Sequence, residues 1–302
     1  MHSKKELLPN HTSHTMHHAP APARVLIIAG SDSGGGAGIQ GDLKTVQALG
    51  GYGMTAITAL TAQNTLGVFG IHPIPEDFIA QQISLCLSDI GADAIKTGML
   101  HSASVIETVV KEVARYASLA ARKSAPTSLT THDSRRTIPL VVDPVMVAKG
   151  GAPLLRAAAL DALKALLIPA ASIITPNLPE AELLLGRPIL SEDANARDMT
   201  RAAEELLALG AQAVLLKGGH STGNILTDVL VTREGAAPVL LHAPRLATRH
   251  THGTGCAFAS AIATGLAQAL PLRDAVANAH AYVQAAIARA PGFGAGHGPL
   301  GH

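Results

Sequence analysis

The chain is expected to fold as an α/β protein, a three-layer αβα sandwich with a mostly parallel central sheet and helices on both faces. Three observations predict this. Short apolar runs rich in β-branched residues, such as Arg24-Val-Leu-Ile-Ile-Ala29 and Ala213-Val-Leu-Leu-Lys217, read as strands buried on both faces. Helical patterns intervene between successive runs, so neighbouring strands are joined by crossovers and run parallel. Polar residues recur at the ends of the expected strands, on the rim where open parallel sheets hold ligands.

The first strand, 24–29, leads into the glycine loop Gly30-Ser-Asp-Ser-Gly-Gly-Gly-Ala-Gly38 and a helical pattern from Ile39 to Leu49, stopped by Gly50-Gly51. A second strand is expected over Met54 to Leu60, a helix over Asp77 to Leu87, a strand over Ala92 to Lys96 and a helix over Ser104 to Tyr116. From Ala117 to Thr137 the composition turns to Ser, Thr, Arg and Lys with Pro126, as in a surface insertion. Pro139 to Asp143 is a buried strand, Leu154 to Leu167 a helix, Ser172 to Thr175 a strand, and Glu180 to Leu185 and Arg197 to Leu209 are helices. Beyond the strand at 213–217, Thr227 to Thr232 and Pro238 to His242 flank a turn containing Arg233-Glu234-Gly235, the pattern of an antiparallel hairpin at a sheet edge. Two Ala-rich helices follow, Cys256 to Ala269 and Arg273 to Ala290. No Pro/Gly-rich linker separates two cores, so a single domain is expected over 24–298, after a His-rich, disordered tail over 1–23.

Composition removes several function classes. Hydrophobic residues make up 47% of the 302 residues and charged residues 15%, with mean hydropathy +0.27, yet no uninterrupted apolar run approaches the length of a membrane span. The net charge of +1 gives no electrostatic reason to expect nucleic acid or an anionic membrane as partner, and 2% aromatics leave few platforms for stacked bases. Cys86 and Cys256 have neither disulfide nor zinc spacing, and the tail lacks the apolar core of a signal peptide, so a reducing cytoplasm is the expected compartment.

The stretch Thr251-His252-Gly253-Thr254-Gly255-Cys256 is where a loop feeds an Ala-rich helix. Backbone N–H groups at two glycines, together with the positive end of the helix, suit an anion, and a thiol at a helix start is expected to be acidified. Gly36-Ala-Gly38-Ile-Gln-Gly41 formally matches a dinucleotide fingerprint, but no Asp or Glu occurs between Asp42 and Glu76 to hold a ribose. Neither a P-loop nor a nucleophile elbow is present. What remains is the rim itself: Asp32, Gln63-Asn64, Lys96, Asp143, Asn177 and Lys217 all stand at or just beyond expected strand ends.

These residues sit in blocks that carry a resemblance. Ala29-Gly-Ser-Asp-Ser-Gly-Gly-Gly-Ala-Gly-Ile-Gln-Gly-Asp-Leu-Lys44, Thr58-Ala-Leu-Thr-Ala-Gln-Asn-Thr65, Lys96-Thr-Gly-Met-Leu100, Val142-Asp-Pro-Val-Met146, Ile174-Thr-Pro-Asn-Leu-Pro-Glu-Ala-Glu182, Leu216-Lys-Gly-Gly-His220 and His250-Thr-His-Gly-Thr-Gly-Cys256 resemble the hydroxymethylpyrimidine/phosphomethylpyrimidine kinases of thiamine biosynthesis. That family is ribokinase-like, and vitamin B6 kinases of the same superfamily share several of the blocks. The resemblance implies ATP- and Mg2+-dependent phosphorylation of hydroxymethylpyrimidine to the monophosphate and then the diphosphate, with pyridoxal or pyridoxine phosphorylation as the alternative. It places the pyrimidine near Gly30, Asp42, Thr61, Gln63, Met99, Val145 and Cys256, with Gln63 and Asp42 as polar readers of the ring and Met99 and Val145 against its faces. Asn177 and Glu180 match the magnesium and phosphate element, Asp143 is a further magnesium-side carboxylate, and Lys217 and Thr251 are expected on the nucleotide. Gly253, Thr254, Gly255 and Cys256 form the catalytic anion loop, with the thiol as candidate base. The implied partner is a small pyrimidine rather than nucleic acid or membrane, and a homodimer is a compatible assembly.

Overall fold

Strand β1 (Arg24–Ala29) offers no face to solvent: Val25, Leu26, Ile27 and Ile28 are all 0% exposed. Successive side chains of a strand alternate between faces, so one strand feeds two cores. Leu26 and Ile28 pack with α2 (Glu76–Leu85), α3 (Ala103–Lys123), α4 (Ala157–Ala162), α5 (Leu178–Leu185) and α6 (Ala196–Leu207). Val25, Ile27 and Ala29 pack with α1 (Gly38–Ala48), α7 (Thr254–Ala267) and α8 (Leu272–Ala288). The result is the expected α/β sandwich. The computed structural model describes residues 21–123, 138–146, 154, 157–189, 196–219 and 223–302.

The remaining strands are β2 (Tyr52–Ile57), β3 (Ala59–Asn64), β4 (Gly67–Pro73), β5 (Ala94–Thr97), β6 (Leu140–Val142), β7 (Ile173–Ile174), β8 (Ala213–Leu216), β9 (Ile225–Thr232) and β10 (Val239–Pro244). The main sheet has the order β10-β9-β8-β7-β6-β5-β1-β2, parallel from β2 to β8 and antiparallel from β8 through β10. β9 and β10 are the expected edge hairpin. From β1 the chain crosses one face through α1 to β2, whereas from β5 it crosses the other face through α3 to β6. The two connections diverge between adjacent strands, which opens a crevice at their carboxyl ends, the usual ligand position in such sheets.

The expected second strand over Met54 to Leu60 is divided in the structure. Thr58 donates its amide to the Ala29 carbonyl at 3.0 Å and its hydroxyl to the Met99 carbonyl at 2.7 Å, and the chain turns there out of the main sheet. β3 then pairs with β4 as a separate two-stranded sheet, with a register shift at Ala62/Gln63. The first part of the expected insertion also differs: α3 continues through Lys123, because Leu119, Ala120, Ala121, Arg122 and Lys123 are good helix formers. The helix expected from Leu154 begins as α4 at Ala157 and continues as a π turn over Leu163–Leu167 and a 3₁₀ turn over Ile168–Ala170. Residues 1–20 of the tail and 124–137 of the insertion lie outside the described residues. Among the described residues no helix is long and apolar enough to cross a membrane.

Candidate active site

The glycine loop after β1 is built around one carboxylate. Asp32 Oδ1 accepts the Gly34 amide at 2.8 Å, and Oδ2 accepts the amides of Gly36 at 3.0 Å and Ala37 at 2.8 Å, so the loop folds back over its own acidic residue. His252 Nε2 lies 2.8 Å from the same Oδ2. Burial opposes ionisation of Asp32, but His252 and the Ala37 and Gly34 amides outweigh it and hold the carboxyl below the usual range. Asp32 therefore belongs to the scaffold of the loop. It fastens the loop to the segment before α7.

That segment meets the glycine loop backbone to backbone. Gly253, the N-cap of α7, has φ +87°, and a Cβ there would stand 1.8 Å from the Gly36 carbonyl oxygen. Only glycine satisfies both conditions. The first-turn amides of α7 lack helical acceptors and open toward a cavity of about 390 Å³. A Cβ on Gly255 would lie 3.1 Å from Lys217 Nζ and 3.6 Å from Asp143 Oδ2, so the anion loop and this charge pair adjoin. Cys256 reaches the cavity but is closely surrounded: burial pushes its thiol up to about 12, against the pull of the Lys96 ammonium and the Gly38 amide. The acidified thiol expected from the sequence is thus corrected. Carboxylates at Asp42 and Asp143 add to burial, and together they outweigh the helix start.

On the other flank, Lys217 at the end of β8 donates to Asp143 Oδ1 at 3.0 Å, and the Thr175 hydroxyl donates to the same oxygen at 3.0 Å. Burial opposes the charge on Lys217, but Asp143 and Glu180 raise it above the ordinary lysine range. Asn177 N-caps α5 through a reciprocal capping box: its side chain accepts the Glu180 amide at 2.9 Å while Glu180 Oε2 accepts the Asn177 amide at 2.8 Å. Glu180 is buried beside Asp143, and burial first, with that neighbouring charge, pushes its carboxyl up to about 7 in spite of Lys217. One lysine thus faces two carboxylates.

The apolar end of the cavity joins Met99 and Leu154 to Ala59, with Val145 and Ile71 packed against them. Gly30 leaves space that the Met99 methyl fills, 2.3 Å from where a Cβ would be. Gln63 reaches the cavity from β3, while the Thr61 hydroxyl is spent on the Ser31 carbonyl at 2.8 Å. Thr61 therefore ties the hairpin to the glycine loop. Asp42 requires a clearer correction: it is 0% exposed, does not line the cavity, and binds Lys96 Nζ at 2.9 and 2.7 Å and the Ser260 hydroxyl at 2.7 Å. It anchors Lys96, whose charge burial opposes and Asp42 restores above the ordinary range, so its carboxylate is engaged within the core rather than at the cavity wall.

Every other residue expected in the site lines this one cavity: Gly30, Thr61, Gln63, Met99, Val145, Asp143, Asn177, Glu180, Lys217, Thr251, Gly253, Thr254, Gly255 and Cys256. Sequence reasoning marked Asp32 and Lys96 only as polar strand ends and passed over Ser31, Leu154 and His252. For His252 the signal was its place inside the anion loop. Its partner lies 220 positions away, beyond the reach of local pattern.

Comparison with known proteins agrees with this geometry. The family described as Phosphomethylpyrimidine kinase matches residues 32–128 and 118–301. Hydroxymethylpyrimidine/phosphomethylpyrimidine kinase of Bacillus subtilis is 46% identical over 280 residues, covering 92% of this chain and 94% of its own. The Thiamine biosynthesis bifunctional protein ThiED of Geobacter sulfurreducens is 50% identical over 285 residues, which is 94% of this chain but 53% of that protein, so this chain spans about half of its length. Among solved structures, an ADP complex of Bacillus subtilis pyridoxal kinase superposes with a TM-score of 0.78 at 34% identity, covering 93% of this chain and 98% of that one. A family match over most of the sequence, with relatives near half identical over more than nine-tenths of it, is decisive: the chain belongs to the phosphomethylpyrimidine kinase family.

Proposed function

We propose that this protein transfers the γ-phosphoryl group of ATP to the hydroxymethyl oxygen of hydroxymethylpyrimidine, and then phosphorylates the monophosphate to the diphosphate, as a step of thiamine biosynthesis. The observation that carries this reading is the set of groups that line one cavity: Gln63 and an apolar patch of Met99, Val145 and Leu154, the Gly253–Cys256 amides, and, directly against Gly255, the Lys217–Asp143 pair with Glu180. A flat aminopyrimidine suits Gln63 and this patch, since apolar side chains cover its faces and an amide can meet adjacent ring donors and acceptors. Its hydroxymethyl group would then point at the anion loop.

In the transfer, the substrate oxygen forms a bond to phosphorus as the bond from phosphorus to the ADP oxygen breaks. The hydroxyl proton leaves late in a loose transition state, so positioning and charge stabilisation matter more than a strong base. This fits a Cys256 thiol that is protonated at neutral pH. The α7 amides at Gly255 and Cys256 would hold the transferring group, and Lys217 the nucleotide phosphates. The residues also fit magnesium: Asp143 and Glu180 face a single lysine, and burial beside Asp143 keeps the Glu180 carboxyl up near 7, a charge imbalance that a divalent cation would relieve. Among the described residues no cluster of three or more His, Cys, Asp or Glu could hold a metal alone, as expected for an ion shared with nucleotide phosphates. Magnesium, when bound, would neutralise charge developing on the phosphoryl oxygens.

The second reading is pyridoxal phosphorylation, favoured by the likeness to the pyridoxal kinase structure. Parallel assays of ATP consumption with hydroxymethylpyrimidine, its monophosphate and pyridoxal separate the two. The proposal expects the highest kcat/KM with the pyrimidines; a higher value with pyridoxal would overturn it.

A further inference from the structure

The Asp32–His252 pair reaches one residue further, to the amide of Gln63. As placed, Gln63 Nε2 is 3.3 Å from His252 Nε2, and Gln63 Oε1 is 3.3 Å from the Thr61 hydroxyl. Both neighbours are already committed. Asp32 is held ionised in a nest of three amides and only accepts, so the His252 Nε2 at 2.8 Å must carry a proton and has no lone pair for an amide N–H. The Thr61 hydroxyl gives its one proton to the Ser31 carbonyl at 2.8 Å, so toward Gln63 it only accepts. Neither neighbour suits the amide as placed: an amide N–H against His252 Nε2 meets another N–H, whereas an amide oxygen there shares, in a three-centre bond, the one proton that His252 Nε2 gives chiefly to Asp32, and rotating the amide by 180° exchanges its oxygen and nitrogen with no change of shape.

We infer that Gln63 is locked with its oxygen toward His252 and its nitrogen toward Thr61, and that Asp32 and His252 act as positioning residues whose relay makes the site discriminate 4-amino from 4-oxo pyrimidines. The inference rests on the proposed function, in which Gln63 faces the pyrimidine. A 4-aminopyrimidine presents a donor at the amino group beside an acceptor at the ring nitrogen, and its 4-oxo counterpart presents the reverse order. An amide of fixed orientation matches one order only; an amide free to turn matches both, and selectivity disappears. The same pair joins the glycine loop, the β3–β4 hairpin and the anion loop, so orientation is set where the three meet.

The test measures Kd by calorimetry for 4-amino-5-hydroxymethyl-2-methylpyrimidine and its 4-oxo counterpart on the full chain and on His252→Phe, His252→Gln and Gln63→Ala. The parent should prefer the amino compound, and His252→Phe should lower the preference at least tenfold, chiefly by tightening the 4-oxo compound relative to the amino one. His252→Gln, whose amide N–H groups can donate to both Asp32 and Gln63, should restore it. A role confined to folding would weaken both compounds together. An unchanged preference in His252→Phe, with a reduced one in Gln63→Ala, would overturn the relay and leave Gln63 as the reader. Unchanged affinities in Gln63→Ala would overturn that reading and the relay with it. Should His252→Phe fail to fold, ring ¹⁵N shifts of His252 in the parent decide: Nε2 protonated supports the relay, and a neutral ring protonated at Nδ1 refutes it.

Discussion

Replacing Asp42 with alanine should unfold the protein more readily long before it says anything about substrate. The Asp42 carboxylate and the Lys96 ammonium both have 0% exposed side chains and meet at 2.7 Å, with Ser260 donating a further bond at 2.7 Å. Asp42→Ala leaves a buried ammonium without its carboxylate and the Ser260 hydroxyl without its acceptor. Removing one partner of a buried pair destabilises by about 3–5 kcal/mol, a large share of the ~5–15 kcal/mol that holds a domain folded. At ~2.1 cal/mol/K of unfolding entropy per residue, a chain of 302 residues shifts by about 1.6 °C per kcal/mol, so the melting temperature should fall by roughly 5–8 °C. The double change Asp42→Leu with Lys96→Met removes both charges and should recover much of the loss, since apolar replacement of a whole buried pair is often neutral. Urea unfolding monitored by far-UV circular dichroism measures both. A single-variant loss below about 1 kcal/mol would refute the assignment of Asp42 as an anchor, as would a double variant no more stable than the single one.

Other outcomes follow from the same geometry. Cys256→Ala should slow turnover yet leave measurable kinase activity, whereas Glu180→Ala should lower it further; steady-state rates with hydroxymethylpyrimidine check the order, and parent-like turnover in Cys256→Ala would remove the thiol from the chemistry. With its thiol pushed up to about 12, Cys256 should resist iodoacetamide between pH 7 and 9, and because the folded value exceeds the unfolded ~8.5 its contribution to stability is present below that pH and lost as pH rises toward 12. Asp93 is held below the usual carboxylate range by the Arg24 hydrogen bond, so its contribution is present above about pH 4 and lost as pH falls through the depressed value. The pair is partly exposed, so Arg24→Ala should lower stability at pH 7 by only about 0.5–1 kcal/mol, and by less at pH 2. Gly253→Ala, which would drive a methyl into the Gly36 carbonyl, should reduce kcat more than tenfold while circular dichroism still shows a folded protein.

The sheet was legible because it depends on local pattern. Strands buried on both faces spell continuous apolar runs, and the glycine loop with α1 follows β1 with no intervening ambiguity. The β3–β4 hairpin was not legible: Met54 to Leu60 holds no Gly, Pro or charged residue, its Thr55 and Thr58 are themselves β-branched strand formers, and the bend at Thr58 is made by hydrogen bonds to Ala29 and Met99, one of them 41 residues away. β4 carries Gly70 and exposed Phe69, so it lacks the alternation of a half-buried strand. In the site, strand-end position placed Asp143, Asn177 and Lys217 correctly on the cavity. Asp42 was expected at the ring from the family resemblance alone, not from any strand end; it lies on the buried face of α1 with Ile39, Thr45 and Val46, and its role depends on Lys96, 54 positions away. The Cys256 expectation failed for a related reason: a helix start is visible in sequence, but the burial and the two carboxylates that outweigh it are not.

The most direct measurement of the central claim follows phosphorylated products by mass spectrometry in one reaction of the full chain with hydroxymethylpyrimidine, ATP and magnesium. The account predicts that the monophosphate appears first and the diphosphate after it, each with stoichiometric ADP, and that Gln63→Ala slows the first step by raising KM. ADP release without any phosphorylated pyrimidine, under conditions where pyridoxal is converted to its phosphate, would contradict it.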